Sequence, residues 1–198
     1  MTHAFVVDKR AKSTTSGMEV QTPVTVVEVP PMKVAAVRFY ESSIVGLKTA
    51  GEVWAKDLDP LLDKRLNVPK NHDEASFARY DGVDIEDVRV LVYTQPKLVS
   101  GVPKKVPDLM ELRIGGGTID ERVAYAKQIL GTEGAEITPK GGFLNYGEVR
   151  NTYVLVHGSV PGPTKRLIRF RDATRLPKGA ATEAVDVTYV STESKQGA

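Results

Sequence analysis

The chain has 198 residues, with 27 lysines and arginines against 25 acids, and it contains no cysteine. This length fits one domain, or one domain with an inserted segment, and the lack of cysteine excludes disulfides, thiolate metal sites and cysteine nucleophiles. No run approaches the roughly 18 to 20 apolar residues of a membrane span, and residues 1–8 lack the charged start and apolar core of a secretion signal. We therefore expect a globular, cytoplasmic protein.

Residues 1–42 predict β-structure. Residues 23–29 are rich in β-branched side chains, and Pro30 and Pro31 follow them. Because proline donates no backbone hydrogen bond, a strand should end at this point. A second strand is predicted over residues 33–40.

Residues 43–130 predict an α/β insertion. Asp59 followed by Pro60 is typical of a helix start, whereas residues 67–87 predict a loop or a weak helix. Strands are predicted over residues 89–94 and 109–114 from their apolar and β-branched content.

A helix is predicted directly after the glycine run at residues 115–117. Thr118 and Glu121 have the spacing of a capping box, in which each side chain accepts a backbone hydrogen bond from the other residue. The helix should end near Leu130, and its buried stripe is predicted at four positions with helical spacing: Ile119, Val123, Ala126 and Leu130.

Residues 131–198 again predict strands, at residues 143–149, 152–157, 165–171 and 185–190, separated by glycine and proline turns. Strands at both ends around an α/β middle predict a mainly β, α+β fold. In this fold both chain ends form one β-barrel, and the barrel carries the insertion.

Residues 158–171 combine a turn with a run of cations. Pro161 and Pro163 flank Gly162, so this turn should be rigid. In a strand over residues 165–171, one face would carry Lys165, Leu167, Arg169 and Arg171, and the opposite, mostly core face would carry Arg166, Ile168 and Phe170. Arginine suits phosphate oxygens, but an edge strand protected by its charges fits the same pattern.

Charge is distributed unevenly along the chain. Residues 140–178 contain eight lysines and arginines against two acids, whereas residues 41–87 contain eleven acids against six bases. Such a separation suggests one surface that faces a polyanion. Uneven surface charge without a function is the alternative.

The sequence contains no convincing catalytic or metal-binding pattern. His3, His72 and His157 are far apart and lack metal-ligand spacing. The glycine run at residues 115–117 matches neither common phosphate-loop order, and Asp120 would repel a phosphate there. We expect no enzyme activity, no catalytic residue, no metal, no cofactor and no small-molecule substrate.

Several tracts are similar to a known family in the same order along the chain. Residues 141–149 read G-G-F-L-N-Y-G-E-V, residues 158–169 read G-S-V-P-G-P-T-K-R-L-I-R, and residues 23–32, 102–111, 153–156 and 189–197 add further matches. The chain thereby resembles the large-subunit ribosomal protein L-three family in its archaeal form, over nearly its whole length and most weakly at residues 70–82.

The resemblance implies a structural, RNA-binding component of the large ribosomal subunit with a translation-protein-type β-barrel. It implies large-subunit ribosomal RNA and neighbouring ribosomal proteins as partners. Compared with the family pattern, this chain is expected to lack two parts. One is a basic tail before residue 1, and the other is a long stretch, with one barrel strand, between Leu130 and Glu136. The barrel is therefore expected to be incomplete.

We assign the barrel to residues 1–42 and 131–198 and the insertion to residues 43–130. Lysine, arginine and histidine side chains are expected to contact RNA phosphates and 2′-hydroxyls. These candidates are Lys165, Arg166, Arg169, Arg171, Arg175, Arg150, Lys140, Lys104, Lys105 and His157. For Lys104 and Lys105 a solvated loop, and for His157 a capped strand end, are equally compatible with the sequence. The alternative function is a protein-interaction body with little RNA affinity of its own.

Overall fold

The computed structural model of the protein describes residues 1–10, 12–70, 74–80, 84–130, 143, 146–175 and 185–191. The chain divides into two compact units. The first unit comprises Met1–Val29, Val99–Val102 and Glu136–Ala198, and the second comprises Pro30–Leu98 and Pro103–Ala135.

The described residues form eight strands, one α-helix and three short 3-10 helices. In chain order these are β1 (Thr2–Val7), β2 (Glu19–Glu28), β3 (Lys33–Ser43), β4 (Gly46–Trp54), 3-10 helices at Pro60–Lys64 and Glu74–Tyr80, β5 (Ile85–Tyr93), a 3-10 helix at Pro96–Leu98, β6 (Leu109–Arg113), α1 (Ile119–Ile129), β7 (Tyr153–His157) and β8 (Val187–Val190). The predicted mainly β fold with few helices is confirmed. Within the described residues the strands form two antiparallel sheets and no closed barrel.

The sheet of the first unit joins the two ends of the chain. Its strand order is β7-β2-β1-β8, and every neighbouring pair is antiparallel. Beyond the end of β8, Thr2 Oγ1 donates to the Ser191 carbonyl at 2.7 Å, and the Ser191 N–H donates to the His3 carbonyl at 3.0 Å. β2 ends at Glu28, just before the two prolines that were expected to stop it.

The sheet of the second unit has the order β4-β3-β5-β6 and is also antiparallel. Residues 33–42, which the sequence analysis assigned to the barrel, lie in this second sheet, because β3 pairs with β4 on one side and β5 on the other. Val37, for example, lies opposite Val53 and opposite Val90. The remaining assignment of barrel and insertion stays a prediction.

Both large hydrophobic clusters of the described residues lie in the second unit. One includes Phe39, Val88 and Ala126, and the other includes Trp54 and Leu62. Ala126 is fully buried, and Ile119, Val123 and Leu130 pack against the first cluster, so the predicted stripe of α1 is confirmed.

The ends of the helical segments also follow the sequence. Thr118 and Glu121 form the reciprocal capping box at α1. Asp59 caps the segment that begins at Pro60, since its carboxylate accepts the Leu61 N–H at 2.9 Å, although this helix is 3-10 rather than α. Residues 67–87, expected as loop or weak helix, contain the 3-10 helix Glu74–Tyr80 and the start of β5.

Asp87 on β5 is a buried carboxylate held by arginines. It accepts a hydrogen bond from Arg113 Nε at 2.9 Å and one from Arg89 Nε at 3.1 Å, and the Arg122 guanidinium lies at 3.9 Å. Burial acts to raise the pKa of Asp87, but the hydrogen bonds from Arg113 and Arg89 outweigh it and hold that pKa below its ordinary value.

We expect Asp87→Asn to weaken the fold and to flatten its acid sensitivity. Because the pKa is lower in the folded than in the unfolded state, the stabilisation is complete above the ordinary aspartate pKa and is lost as pH falls through the folded value. The amide keeps the shape but not the charge, so we expect a loss of about 2 kcal/mol at pH 7. Urea unfolding between pH 3 and 7 measures this, with the exposed Asp57→Asn as the matched control. An unchanged pH profile in Asp87→Asn would contradict the prediction.

Candidate nucleic-acid interface

The candidate site begins directly after β7, and hydrogen bonds to β2 hold its first residue, Gly158. The Gly158 N–H donates to the Pro23 carbonyl at 2.9 Å, and Thr25 Oγ1 donates to the Gly158 carbonyl at 2.6 Å. Gly158 has a φ of +78°, a conformation that favours glycine. His157, at the end of β7, is exposed.

Residues 160–166 form a turn with one internal backbone hydrogen bond, and its predicted rigidity stays a prediction. Gly162 has a φ of +104°, and the Arg166 N–H donates to the Pro163 carbonyl at 3.2 Å. Lys165 has a φ of +73°, which is uncommon outside glycine. A Cβ on Gly162 would lie 2.9 Å from Arg166 Cγ, so this glycine leaves room for the Arg166 side chain.

The strand predicted over residues 165–171 is wrong. These residues have no regular secondary structure, and no backbone hydrogen bond joins residues 167–173 to another described residue. The predicted core face is wrong as well, since Phe170 is 56% exposed. A strand requires a neighbouring strand, and a two-residue pattern indicates side-chain direction without supplying that neighbour.

The basic segment, residues 165–175, presents its cations to solvent. The predicted residues Lys165, Arg166, Arg169, Arg171 and Arg175 are all exposed. Arg171 Nη2 donates to Thr174 Oγ1 at 3.2 Å, and within the described part of the chain none of the five forms an ion pair. Asp172 is the single acid of the segment.

Two arginines of the second unit, Arg38 and Arg89, have a different environment. Arg38 pairs with Glu52 at 2.5 Å, and Arg89 pairs with Asp87 at 3.1 Å. Their charges are neutralised within the sheet. The basic segment therefore differs from these arginines because its cations have no carboxylate partner in the described part of the chain, a difference that composition does not reveal.

The remaining candidates are dispersed. Arg150 is exposed but pairs with Glu148 at 2.8 Å, and Lys104 pairs with Asp108 at 2.5 Å. Lys105 is exposed in the second unit. Lys140 lies outside the described residues.

A second strand prediction, over residues 143–149, is also wrong in the described residues. Phe143 and Gly147 form only an isolated bridge, in which the Phe143 N–H donates to the Gly147 carbonyl at 2.7 Å. The Tyr146 N–H donates back to the Phe143 carbonyl at 3.0 Å. Gly147 has a positive φ of +115°, which favours glycine at this position.

Glu28 anchors the chain just before β7. Its carboxylate accepts the Tyr146 hydroxyl at 2.5 Å and the Asn151 side-chain amide at 2.6 Å. Burial, together with the Glu28 carboxylate, raises the pKa of Tyr146 above its ordinary value. This anchor is not predictable from the local sequence, because the partners are 118 and 123 residues apart.

Residues 99–102 complete the anchor. Ser100 Oγ donates to the Glu148 carbonyl at 2.9 Å. A Cβ built on Gly101 would lie 2.2 Å from the Tyr146 carbonyl oxygen. Two backbone segments therefore pass each other at a distance that only glycine permits.

The described residues contain no group of three or more histidine, aspartate or glutamate side chains that could hold a metal ion. Among the helices described here, none is long and apolar enough to cross a membrane. The geometry offers an exposed, irregular and cationic segment that follows a β-sheet, and a clustered set of cations is the electrostatic feature that polyanion binding requires.

Comparison with known proteins identifies the family. The family model described as "Ribosomal protein L3" matches residues 1–133 and 130–197. The large ribosomal subunit protein uL3 of Archaeoglobus fulgidus is 39% identical, over 100% of this chain and 86% of the relative. The uL3 proteins of Methanothrix thermoacetophila and Picrophilus torridus are 34% and 35% identical, over 100% of this chain and 86% and 85% of theirs.

The chain is thus a ribosomal protein of a structural, non-enzymatic kind. It belongs to the ribosomal protein L3 family.

The family resemblance also locates a difference within the chain. The alignment with the A. fulgidus protein runs over 287 positions, whereas this chain has 198 residues, so at least 89 positions (287 minus 198) have no counterpart here. The two segments matched by the family model meet at residues 130–133. A long family stretch is expected from the sequence to be missing next to this junction, between Leu130 and Glu136.

Proposed function

We propose that this protein is a structural component of the large ribosomal subunit in the cytoplasm and that it binds large-subunit ribosomal RNA through the basic segment. The observation that carries this proposal is the set of five exposed cations without a carboxylate partner among the described residues. RNA binding releases counterions from phosphates, and an unpaired arginine or lysine achieves this without first breaking an ion pair. The relatives named as large ribosomal subunit proteins support the proposal.

Backbone geometry favours RNA contact as well. Residues 167–173 leave backbone N–H groups unpaired within the described chain, and such groups can donate to phosphate oxygens alongside the side chains. Pro161 and Pro163 restrict the backbone of the preceding turn, which lowers the entropic cost of ordering it on binding. Arg150 and Lys104, which already have carboxylate partners, contribute less in this scheme, and Lys105, His157 and Lys140 remain candidates.

The first unit is proposed to be an incomplete barrel of the translation-protein type. Its four-stranded sheet has β7 and β8 as outer strands, and residues 165–171 have strand-type alternation but no pairing partner among the described residues. The strand that this barrel lacks would belong to the positions of A. fulgidus uL3 that have no counterpart in this chain. Neighbouring large-subunit proteins are proposed as further partners.

A salt titration tests the RNA proposal. We expect the logarithm of the association constant for the full chain and large-subunit rRNA to fall linearly with the logarithm of salt concentration, with a slope of about −3 to −5 for five phosphate contacts. Filter binding or fluorescence anisotropy measures it. A slope near zero, or no binding at low salt, would favour the protein-interaction body instead.

A further inference from the structure

The hairpin between β3 and β4 ends in an apolar tip that the fold does not use. We define the tip as residues 42–47, with Ser43 paired to Gly46 and the loop formed by Ile44 and Val45. Ile44 is 105% exposed and Val45 is 96% exposed, and Leu47 beside them is 44% exposed. Three large apolar side chains within four residues therefore contribute little or nothing to the packed core of the protein.

Turn chemistry does not require these residues. Tight hairpin loops favour asparagine, aspartate and glycine, because positive φ angles are needed. Here Gly46 supplies the positive angle, +117°, and Lys165 is the only non-glycine residue of the described chain with a positive φ. Turn geometry alone therefore does not account for the apolar pair at positions 44 and 45.

The tip is well suited to insertion. The strands β3 and β4 stay paired as far as Ser43 and Gly46 at the tip. Next to the tip, Lys48 forms an ion pair with Glu41 at 3.2 Å. Isoleucine and valine have few side-chain rotamers to lose on burial. A stiff hairpin that carries stiff apolar side chains loses little conformational entropy when it enters a pocket.

Charge indicates the class of partner. Residues 42–47 contain no charged side chain, and the nearest cation along the chain, Lys48, is already paired with Glu41. RNA contacts depend on cations, and apolar wedges between bases are accompanied by arginine, lysine or amide side chains. An uncharged apolar pocket on a protein matches the tip better than a nucleic acid does.

We infer that the β3–β4 tip docks into an apolar pocket of a neighbouring large-subunit protein, an inference that rests on the proposed membership of the large subunit. The contact is separate from the RNA contact of the basic segment. Ile44 and Val45 are its central side chains, and Leu47 lies at its edge.

Photo-crosslinking tests this inference directly. The full chain carries p-benzoylphenylalanine in place of Ile44, and the probe is the total protein extracted from archaeal large subunits, with and without large-subunit rRNA. We expect a crosslink to one subunit protein, mapped by mass spectrometry to an apolar site. The same group in place of Tyr125, which is 53% exposed on α1, is the control. Crosslinks mainly to RNA, or none above the Tyr125 background, would overturn the inference.

A binding measurement adds a second criterion. We expect the double variant Ile44→Ser/Val45→Ser to bind the crosslinked protein roughly ten- to a hundredfold more weakly, as burial of such side chains implies, and Tyr125→Ser to bind it unchanged. The native chain, the double variant and Tyr125→Ser should give the same salt dependence of rRNA binding. Unchanged affinity of the double variant would refute the docking site. If the native chain does not bind rRNA, the proposed RNA function is refuted, and the crosslink alone then tests whether the tip docks into a protein.

Discussion

Replacing Lys165, Arg166, Arg169 and Arg175 together by glutamine lowers the affinity for large-subunit rRNA by roughly a hundred- to a thousandfold near 0.1 M salt and reduces the salt slope by about three. The four side chains are exposed and lack ion-pair partners among the described residues, so their removal affects the RNA contact without breaking a salt bridge. Glutamine keeps much of the side-chain length and the hydrogen-bonding capacity. Anisotropy titrations at several salt concentrations provide both quantities.

A matched variant distinguishes an effect of the basic segment from an effect of the protein's net charge. Lys12, Lys64, Lys70 and Arg79 are also exposed and lie outside the basic segment. Replacing these four by glutamine changes the net charge by the same amount, so a response to net charge alone would be equal in both variants. We expect the control to bind rRNA within a few fold of the native chain. Equal losses in the two variants would show that the basic segment is not the contact.

Gly101→Ala destabilises the first unit by about 2 to 3 kcal/mol, the range of a side chain forced into occupied space. The added Cβ would lie 2.2 Å from the Tyr146 carbonyl oxygen and 3.0 Å from its carbonyl carbon. Since both are backbone atoms, no side chain can move aside to relieve the overlap. The turn at residues 146–151 must shift, and with it the hydrogen bonds from Tyr146 and Asn151 to Glu28.

Hydrogen exchange locates this effect. Amides of β2 and β7 should exchange faster in Gly101→Ala, whereas amides of β3 and β5 in the second unit should keep their native rates. Gly115→Ala is the matched control, because nothing lies within 4 Å of its added Cβ and its φ is not positive. Native stability of Gly101→Ala alongside that control would show that the two backbones do not pass as closely as described.

Features that depend on neighbouring residues in the sequence could be predicted. The start of α1 follows from the spacing of Thr118 and Glu121, and its buried stripe follows from helical periodicity. The end of β2 follows from the prolines after it. In each case the determining contacts lie within about one helical turn or a few strand residues, so the local sequence contains the information.

Features that depend on distant partners could not be predicted. Residues 165–171 have the composition of a strand, but pairing is decided by a second segment, and none of the described residues pairs with them. The cations of the candidate site were identified from the sequence, whereas the pairing of Arg150 with Glu148 and of Lys104 with Asp108 required coordinates. Likewise, the number of arginines in the second unit did not indicate that Arg38 and Arg89 are neutralised by acids.

The pairing of β1 with β8 affects the order in which the two sheets can form during synthesis. The hydrogen bond from Thr2 to Ser191 joins residues 189 positions apart, whereas β3, β4, β5 and β6 all lie within residues 33–113. During vectorial synthesis the second unit can close while the remainder is still being made, but β1 must wait for almost the last residues to emerge. A nascent chain arrested after α1 should therefore protect its second sheet from protease and leave β1 without its final partner.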